Sequence, residues 1–270
     1  MINYPAWKNG TYCQVKDLTV SVLDLGLIHC DATYDVVSVV DGNPQNLEAH
    51  LYRFKRSADG WRLPLPYTTE DLVAVINELI KNSEDKNLLV WIGLTRGIPK
   101  SGSPRDLVNC TPNIFAYTKP YFGFNSSNTA TVCLANTVLR TPDSSINQIH
   151  KNFAWNDLTK AQWEAIDRGY DTAILENHEG FITEGPGFNV GFIVGENIIA
   201  PKTNRLQGTV MDLVQKANAT FSYTNISFSD IMNADAMFLT STAGNVIRVT
   251  KFENKEFKEN RILTWLMNNI

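Results

Sequence analysis

Apolar positions recur along the chain with two different periods, and the switches between them mark the elements. Residues 11–23 and 34–40 alternate or run apolar, which predicts strands. Asp41-Gly42-Asn43-Pro44 then supplies a turn. Over 47–58 the period lengthens to that of a helix, with Leu47, Leu51, Phe54 and Ala58 on one stripe. Thr68-Thr69-Glu70-Asp71 is a helix start, and Leu72, Val75, Ile76, Leu79 and Ile80 form the buried side of the helix it opens. Strands are predicted at 88–95 and 113–118.

Residues 119–128 combine Pro, Gly and a small polar cluster, the signature of a joint between domains. Beyond them a strand is predicted over 129–139. A helix over 157–168 carries Leu158, Ala161, Ala165 and Ile166 in register and stops at Gly169. Strands follow near 172–176, 181–183, 190–194 and 197–200, then a helix at 210–217 and a late strand, Ala236–Thr240. This reads as an α+β chain with an N-terminal domain over 1–118, a linker over 119–128 and a C-terminal domain over 129–270. A length of 270 residues accommodates two domains of ordinary size.

Composition narrows the class. The chain is 43% hydrophobic and 19% charged, as soluble globular proteins are. A net charge of −4 argues against a nucleic-acid partner bound through a broadly basic surface. No apolar run approaches the ~18 residues of a membrane span, and no signal peptide is apparent, so a cytoplasmic location is expected. Cys13, Cys30, Cys110 and Cys133 have no CxxC spacing and read as reduced thiols. His29, His50, His150 and His178 form no HxxxH pair, so no metal is expected.

The candidate chemistry centres on Lys151, just before the helical pattern, and on Glu184 in Thr183-Glu184-Gly185-Pro186-Gly187-Phe188-Asn189. A lysine amine forms an imine with an aldehyde cofactor, and a glutamate holds a cofactor's ring nitrogen protonated. Apolar sequence flanks Glu184, so its backbone is expected to be buried; a carboxylate buried there needs a cation or hydrogen bonds, and a protonated pyridine nitrogen would be such a partner. Three segments suit an anion: Gly208-Thr209-Val210 at a helix start, Ser241-Thr242-Ala243-Gly244 after a strand, and Arg53 on the same helix face as His50.

From about Gly10 to about Glu256 these segments resemble the fold-type IV pyridoxal phosphate (PLP) transaminases. The group includes branched-chain and D-amino-acid aminotransferases and (R)-selective amine transaminases. The resemblance is carried by residues 24–36, from Asp24-Leu25-Gly26 to Tyr34-Asp35-Val36, and by His50-Leu51-Tyr52-Arg53, Leu94-Thr95-Arg96-Gly97 and Lys151–Leu158. The 183–189 run, Leu206-Gln207-Gly208 and Ser241–Gly244 complete it. It implies a smaller N-terminal α/β domain and a larger C-terminal mixed-sheet, barrel-like domain with the cofactor between them, and a homodimer acting on an amine or amino acid and a keto acid.

The resemblance also assigns roles. Lys151 is expected to be the Schiff-base lysine and proton shuttle, and Glu184 the partner of the pyridine nitrogen. Arg53, the Gly208, Thr209 and Val210 amides and Thr242 are expected at the phosphate, and Leu206 against the ring. His29, Tyr34, Val36, Trp91, Trp155, Phe188, Thr242 and Ala243 are expected to line the substrate pocket, with Arg105 a candidate for a substrate carboxylate. The chain departs from the family pattern in places. Gly208-Thr209-Val210-Met211 lacks its usual Thr-Arg, and Leu89 and Trp91 stand where the amine-transaminase branch has an aromatic and an acidic residue. Transamination is the leading expectation, with an (R)-amine or D-amino acid as donor. The alternatives are a branched-chain L-amino-acid aminotransferase, a PLP lyase of the same fold such as an aminodeoxychorismate lyase, and a non-catalytic dimeric binding protein.

Overall fold

In the computed structural model of the chain, residues 4–121, 123, 125 and 127–270 are described. Phe122, Phe124 and Ser126 of the expected 119–128 linker lie outside them. Contacts divide the chain into one unit of Met1–Phe122 with His150–Ala154, and another of Gly123–Ile149 with Trp155–Ile270. The sequence reading kept 129–270 together. The structure moves the five residues around Lys151 into the first unit, where the hydrogen bonds of the lysine's own main chain are made.

The first unit is a six-stranded antiparallel sheet in the order β2-β1-β6-β5-β3-β4. Its strands are β1 (Pro5–Lys8), β2 (Thr11–Gln14), β3 (Ala32–Val40), β4 (Asn43–Pro44), β5 (Leu88–Pro99) and β6 (Cys110–Pro120). Three helices accompany them, α1 (Leu25–Ile28), α2 (Leu47–Gly60) and α3 (Thr69–Lys81). The stripes of α2 and α3 bury Leu51, Phe54, Ala58, Leu72, Ile76 and Leu79 against Val37, Val39, Val90, Ile92, Leu94 and Ile114 on one sheet face. A capping box between Thr68 and Asp71 starts α3 where the sequence placed it.

Asp35 of β3 points to the helix side and is fully buried. Arg53 of α2 donates to it through Nε and Nη2, both at 2.8 Å, and His50 Nδ1 lies 2.8 Å from Oδ1. Burial pushes the Asp35 carboxyl up, but Arg53 and His50 outweigh it and hold the group well below the usual carboxylate range. A depressed folded-state pKa stabilises above the unfolded value and loses that stabilisation as pH falls. Asp35→Asn is therefore expected to lower stability at neutral pH and to flatten its decline below about pH 4. Urea unfolding of both proteins across that range checks it, and parallel curves would refute it.

Three strand expectations fail in places. Over 11–23 only β2 forms, because the chain turns at Val15–Asp17 and then caps α1 with Asp24. The fully buried Asp24 carboxylate accepts from Gly26 N–H and from the side chains of Thr95 and Asn113, which draws the segment inward.

The second unit has a nine-stranded sheet with the path β12-β11-β10-β13-β14-β7-β8; β9 pairs β10 and β15 pairs β14. The strands are β7 (Thr129–Leu134), β8 (Thr172–Ile174), β9 (Glu184–Gly185), β10 (Phe188–Val194), β11 (Asn197–Pro201), β12 (Phe221–Thr224), β13 (Ala236–Ser241), β14 (Asn245–Phe252) and β15 (Lys255–Glu256). The sheet is mixed, with β11–β12, β14–β7 and β7–β8 parallel. Its helices are α4 (Asn156–Asp167), α5 (Thr209–Ala217), α6 (Phe228–Asn233) and α7 (Arg261–Asn269). The strand expected over 129–139 stops at Leu134, because Glu164 takes the N–H groups of Asn136 and Thr137 out of the ladder. The strand expected at 181–183 reduces to a bridge between Ile182 and Glu176 beside the two-residue β9. Leu158, Ala161 and Ala165 are buried on α4, while Ile166 lies off that stripe and is half exposed.

Candidate functional site

In the first unit, Lys151 stands in a stretch without regular structure and is held by its backbone. Its N–H donates to Ser57 Oγ at 3.0 Å, and its carbonyl accepts from Thr33 Oγ1 at 2.7 Å. Its Nζ lies 4.4 Å from the centroid of the Tyr34 ring. Tyr34 stacks on Trp91 at 4.8 Å, and Phe153 packs edge-on against both. Phe115 and Tyr117 extend the stack beyond Trp91. These rings occupy the sheet face opposite the α2–α3 core, because alternate residues of a strand face opposite sides. Val36 is the register partner of Trp91 on that aromatic face. Of the expected pocket residues, the structure thus gathers Tyr34, Val36 and Trp91 in one wall, with the lysine amine over one ring.

In the second unit, Glu184 is buried and held from two sides. Its Oε1 accepts from Arg140 Nε at 3.1 Å and Nη2 at 2.8 Å. Its Oε2 accepts from the Leu206 N–H at 2.9 Å and from Asn189 Nδ2 at 3.2 Å. Arg140 also donates through Nη1 to Asp157 and through Nη2 to Gln148, both at 2.6 Å. Burial lowers the Arg140 pKa, but Glu184 and Asp157 outweigh it and hold the guanidinium above its ordinary value. For Asp157, burial pushes the carboxyl up, and Arg140 and the Thr141 N–H more than reverse that. Within the chain, Glu184 thus has a cationic partner in Arg140, a residue that the sequence reading did not single out. A carboxylate fixed this firmly is preorganised to receive a cationic ring N–H.

The start of α5 has the chemistry of an anion cradle. Gly208 is its N-cap and brings no side-chain hydrogen bond to the first turn. A Cβ on Gly208 would overlap Asn189 Oδ1, so only glycine lets the loop pass this close. Asn189 Nδ2 also donates to the Leu206 carbonyl at 2.8 Å, so one side chain joins Glu184 to the loop before α5. Asn189 is the register partner of Thr240 on β13. Met211 and Val214 of α5 pack with Ala236 and Phe238, the positions that share a face with Thr240. Thr240 is 3% exposed, and its Oγ1 has no hydrogen-bond partner among the described residues. A helix N-terminus and an orphaned buried hydroxyl fit a phosphate without requiring the missing Thr-Arg pair. Thr240 and Asn189 are site candidates that the sequence reading did not single out.

The remaining candidates stand on several elements, each within its own unit. Leu206 contributes the main chain that frames Glu184. Thr209 and Val210 are buried in the first turn of α5. Thr242 and Ala243 form the half-buried turn after β13. Phe188 is buried at the start of β10, and Trp155 is the N-cap of α4, with its ring reaching toward Gly187. His29 is exposed at the end of α1, and Arg105 is exposed on the loop between β5 and β6. Leu89 is buried, while Trp91 belongs to the aromatic wall.

Residues 32–252 match the family described as amino-transferase class IV. The chain is 26% identical over 265 residues to a putative branched-chain-amino-acid aminotransferase of Methanocaldococcus jannaschii, covering 94% of this chain and 90% of that protein. It is 25% identical over 265 residues to a D-alanine aminotransferase of Staphylococcus haemolyticus, covering 94% and 91%. Its fold is similar to that of a branched-chain aminotransferase from Thermoproteus uzoniensis solved with norvaline, with a TM-score of 0.91 at 20% identity over 98% of this chain and 93% of the other. A fold IV-transaminase from Curtobacterium pusillum gives a TM-score of 0.83 at 24% identity, covering 96% and 92%.

Proposed function

The chain belongs to the class IV aminotransferases, PLP-dependent transaminases, and from that premise we propose that it moves the amino group of an (R)-amine or D-amino acid to a keto acid. The observation that carries the site is the Lys151 amine lying over Tyr34 in a wall shared with Trp91 and Phe153. The cofactor supplies an aldehyde that takes up the amino group and a cationic ring that accepts the electrons of the broken C–H bond.

The chain's own residues divide the remaining work. Lys151 is proposed as the residue that would hold the cofactor covalently and would carry the donor's α-proton at Nζ to the carbon on the other side of the transferred nitrogen. Glu184 is proposed to keep the ring nitrogen protonated, supported by its fixed orientation between Arg140, Asn189 and Leu206. The amides of Gly208, Thr209 and Val210, with Thr242, Arg53 and Thr240, are proposed to bind the phosphate, and Leu206 to pack on the ring. Tyr34, Val36, Trp91, Trp155 and Phe188 are proposed to exclude water around the substrate side chain. His29, Thr242, Ala243 and Arg105 are proposed at its polar end.

The unit of action is proposed to be a homodimer. Supporting it is a contiguous run in which Val22, Leu23 and Leu27 are 74, 63 and 59% exposed, an uncommon density of bare apolar side chains. Sedimentation of the purified protein tests this.

A branched-chain L-amino acid is the second reading of the donor, supported by the name of the Methanocaldococcus jannaschii relative. Half-reactions with D-alanine, L-leucine and both enantiomers of 1-phenylethylamine separate the two. The expected result is conversion of the bound cofactor to its amino form by D-alanine or the (R)-amine, and its return by pyruvate. Conversion by L-leucine alone would establish the second reading. A cofactor converted by no donor and regenerated by no keto acid would leave only a lyase.

A further inference from the structure

We propose that Thr33 and Ser57 are positioning residues that present the Lys151 amine by clamping the two peptide groups of that lysine. The proposal rests on Lys151 being the cofactor-bearing residue. Residues 147–155 have no regular secondary structure, so no helix or strand ladder fixes the lysine. Both hydroxyls that replace such a ladder belong to fully buried side chains.

The two bonds are oriented, not incidental. Ser57 Oγ donates to the Arg53 carbonyl one helical turn back at 2.8 Å, so its lone pairs are left to receive the Lys151 N–H. Thr33 donates to the Lys151 carbonyl, and its neighbour Tyr34 lies under the Lys151 amine. Adjacent residues on a strand face opposite sides, so one strand holds the lysine by its main chain on one side and its Nζ on the other. The edge of β3 has room for this, because β4 pairs only with Val39 and Val40. Asp35, two residues beyond Thr33, is bound to Arg53, four residues before Ser57, so the two clamping hydroxyls stand on elements already locked together.

The residues on either side of Lys151 strengthen the hold. A Cβ on Gly60 would overlap the His150 ring, so the end of α2 accepts His150 only because residue 60 is glycine. Burial and the nearby Arg56 lower the His150 pKa, and the ring packs edge-on beside Trp61. On the other side, Asn152 donates to the His150 carbonyl and accepts from the Ala154 N–H, both at 3.0 Å. With the main chain fixed, the remaining freedom of the amine is that of one side chain, which shortens the search for a reactive geometry.

The test uses Thr33→Val, which removes the hydroxyl at nearly constant shape, Ser57→Ala, and Thr33→Ser, which restores a hydroxyl. PLP is added to each apoprotein, and the growth of the lysine-bound absorbance is timed. Its pH midpoint is then measured, and borohydride with peptide mapping identifies the lysine that carries the cofactor. Thr33→Val and Ser57→Ala are expected to slow capture by about tenfold and to shift the midpoint, while Thr33→Ser recovers most of the rate. A merely structural role would lower the thermal midpoint and leave capture rate and pH midpoint as in the parent. That result in both hydroxyl-less variants, with the cofactor still on Lys151, overturns the clamp. Labelling of another lysine in the parent overturns the assignment of Lys151 itself and is distinguishable from it.

Discussion

Lys151→Ala is expected to abolish transamination, lowering the rate by more than about 10⁴-fold, and to remove the lysine-bound absorbance of the holoenzyme. The size follows from two roles removed together, because the same nitrogen is proposed as both the covalent anchor and the proton carrier. Residues that act as a unit lose nearly the whole effect when one is deleted. The variant is expected to fold like the parent, since the contacts that fix residue 151 are made by its N–H and carbonyl, which alanine retains. The fold loses, among its side-chain contacts, the amine over the Tyr34 ring, a contribution of about 0.5–2 kcal/mol. A near-parental thermal midpoint with no turnover and no absorbance band therefore separates a chemical defect from a folding one. Turnover in the variant, or a persisting band, would sink the proposal.

Much of this was legible along the chain because it depends on neighbours in sequence. The stripes of α2 and α3 and the Thr68–Asp71 cap are local patterns, and the structure places them where periodicity put them. Lys151 and Glu184 stood out because each lies in a short distinctive run. Their supports did not. Arg140 meets Gln148, Asp157 and Glu184, which are 8, 17 and 44 residues away, and nothing around Arg140 alternates or repeats. Ser57 carries no mark in the sequence, since its acceptance of an N–H 94 residues away has no local trace. Thr240 reads as the end of an apolar strand until Asn189 and the start of α5 are placed beside it. The same blindness explains residues 15–23, where side-chain alternation suggested a strand while buried Asp24 decided the path. Hydroxyls, amides and charges that work in pairs become visible only when the partner's position is known. The sequence reading also stopped at β13 and its turn, although Val246, Ile247, Val249 and Phe252 of β14 and Leu263 and Leu266 of α7 complete the apolar clusters of the second unit.

Arg140→Ala is expected to cost about 3–5 kcal/mol of stability, because it leaves Glu184 and Asp157 buried without the cation that both contact. Lysine is a poor substitute, since a point charge cannot repeat the fork that reaches Glu184, Asp157 and Gln148 from one planar group. The sign of the pH dependence makes the prediction sharp. In the parent, Asp157 is held below its ordinary pKa, so its stabilisation is present above about pH 4 and is lost as pH falls. Without Arg140, burial is opposed mainly by the hydrogen bonds from Thr141, and the Asp157 pKa is expected to rise above its unfolded value. A raised folded-state pKa stabilises at low pH and loses that stabilisation as pH rises. Between about pH 4 and pH 7 the variant should therefore gain stability on acidification relative to the parent. Asp157→Asn in the Arg140→Ala background should remove part of that difference, since one of the two stranded charges is then gone. Urea unfolding of the parent, the single variant and the double variant across this range measures all three expectations. A single variant that tracks the parent at every pH would show that the arginine does not govern the charge state of the carboxylates it touches.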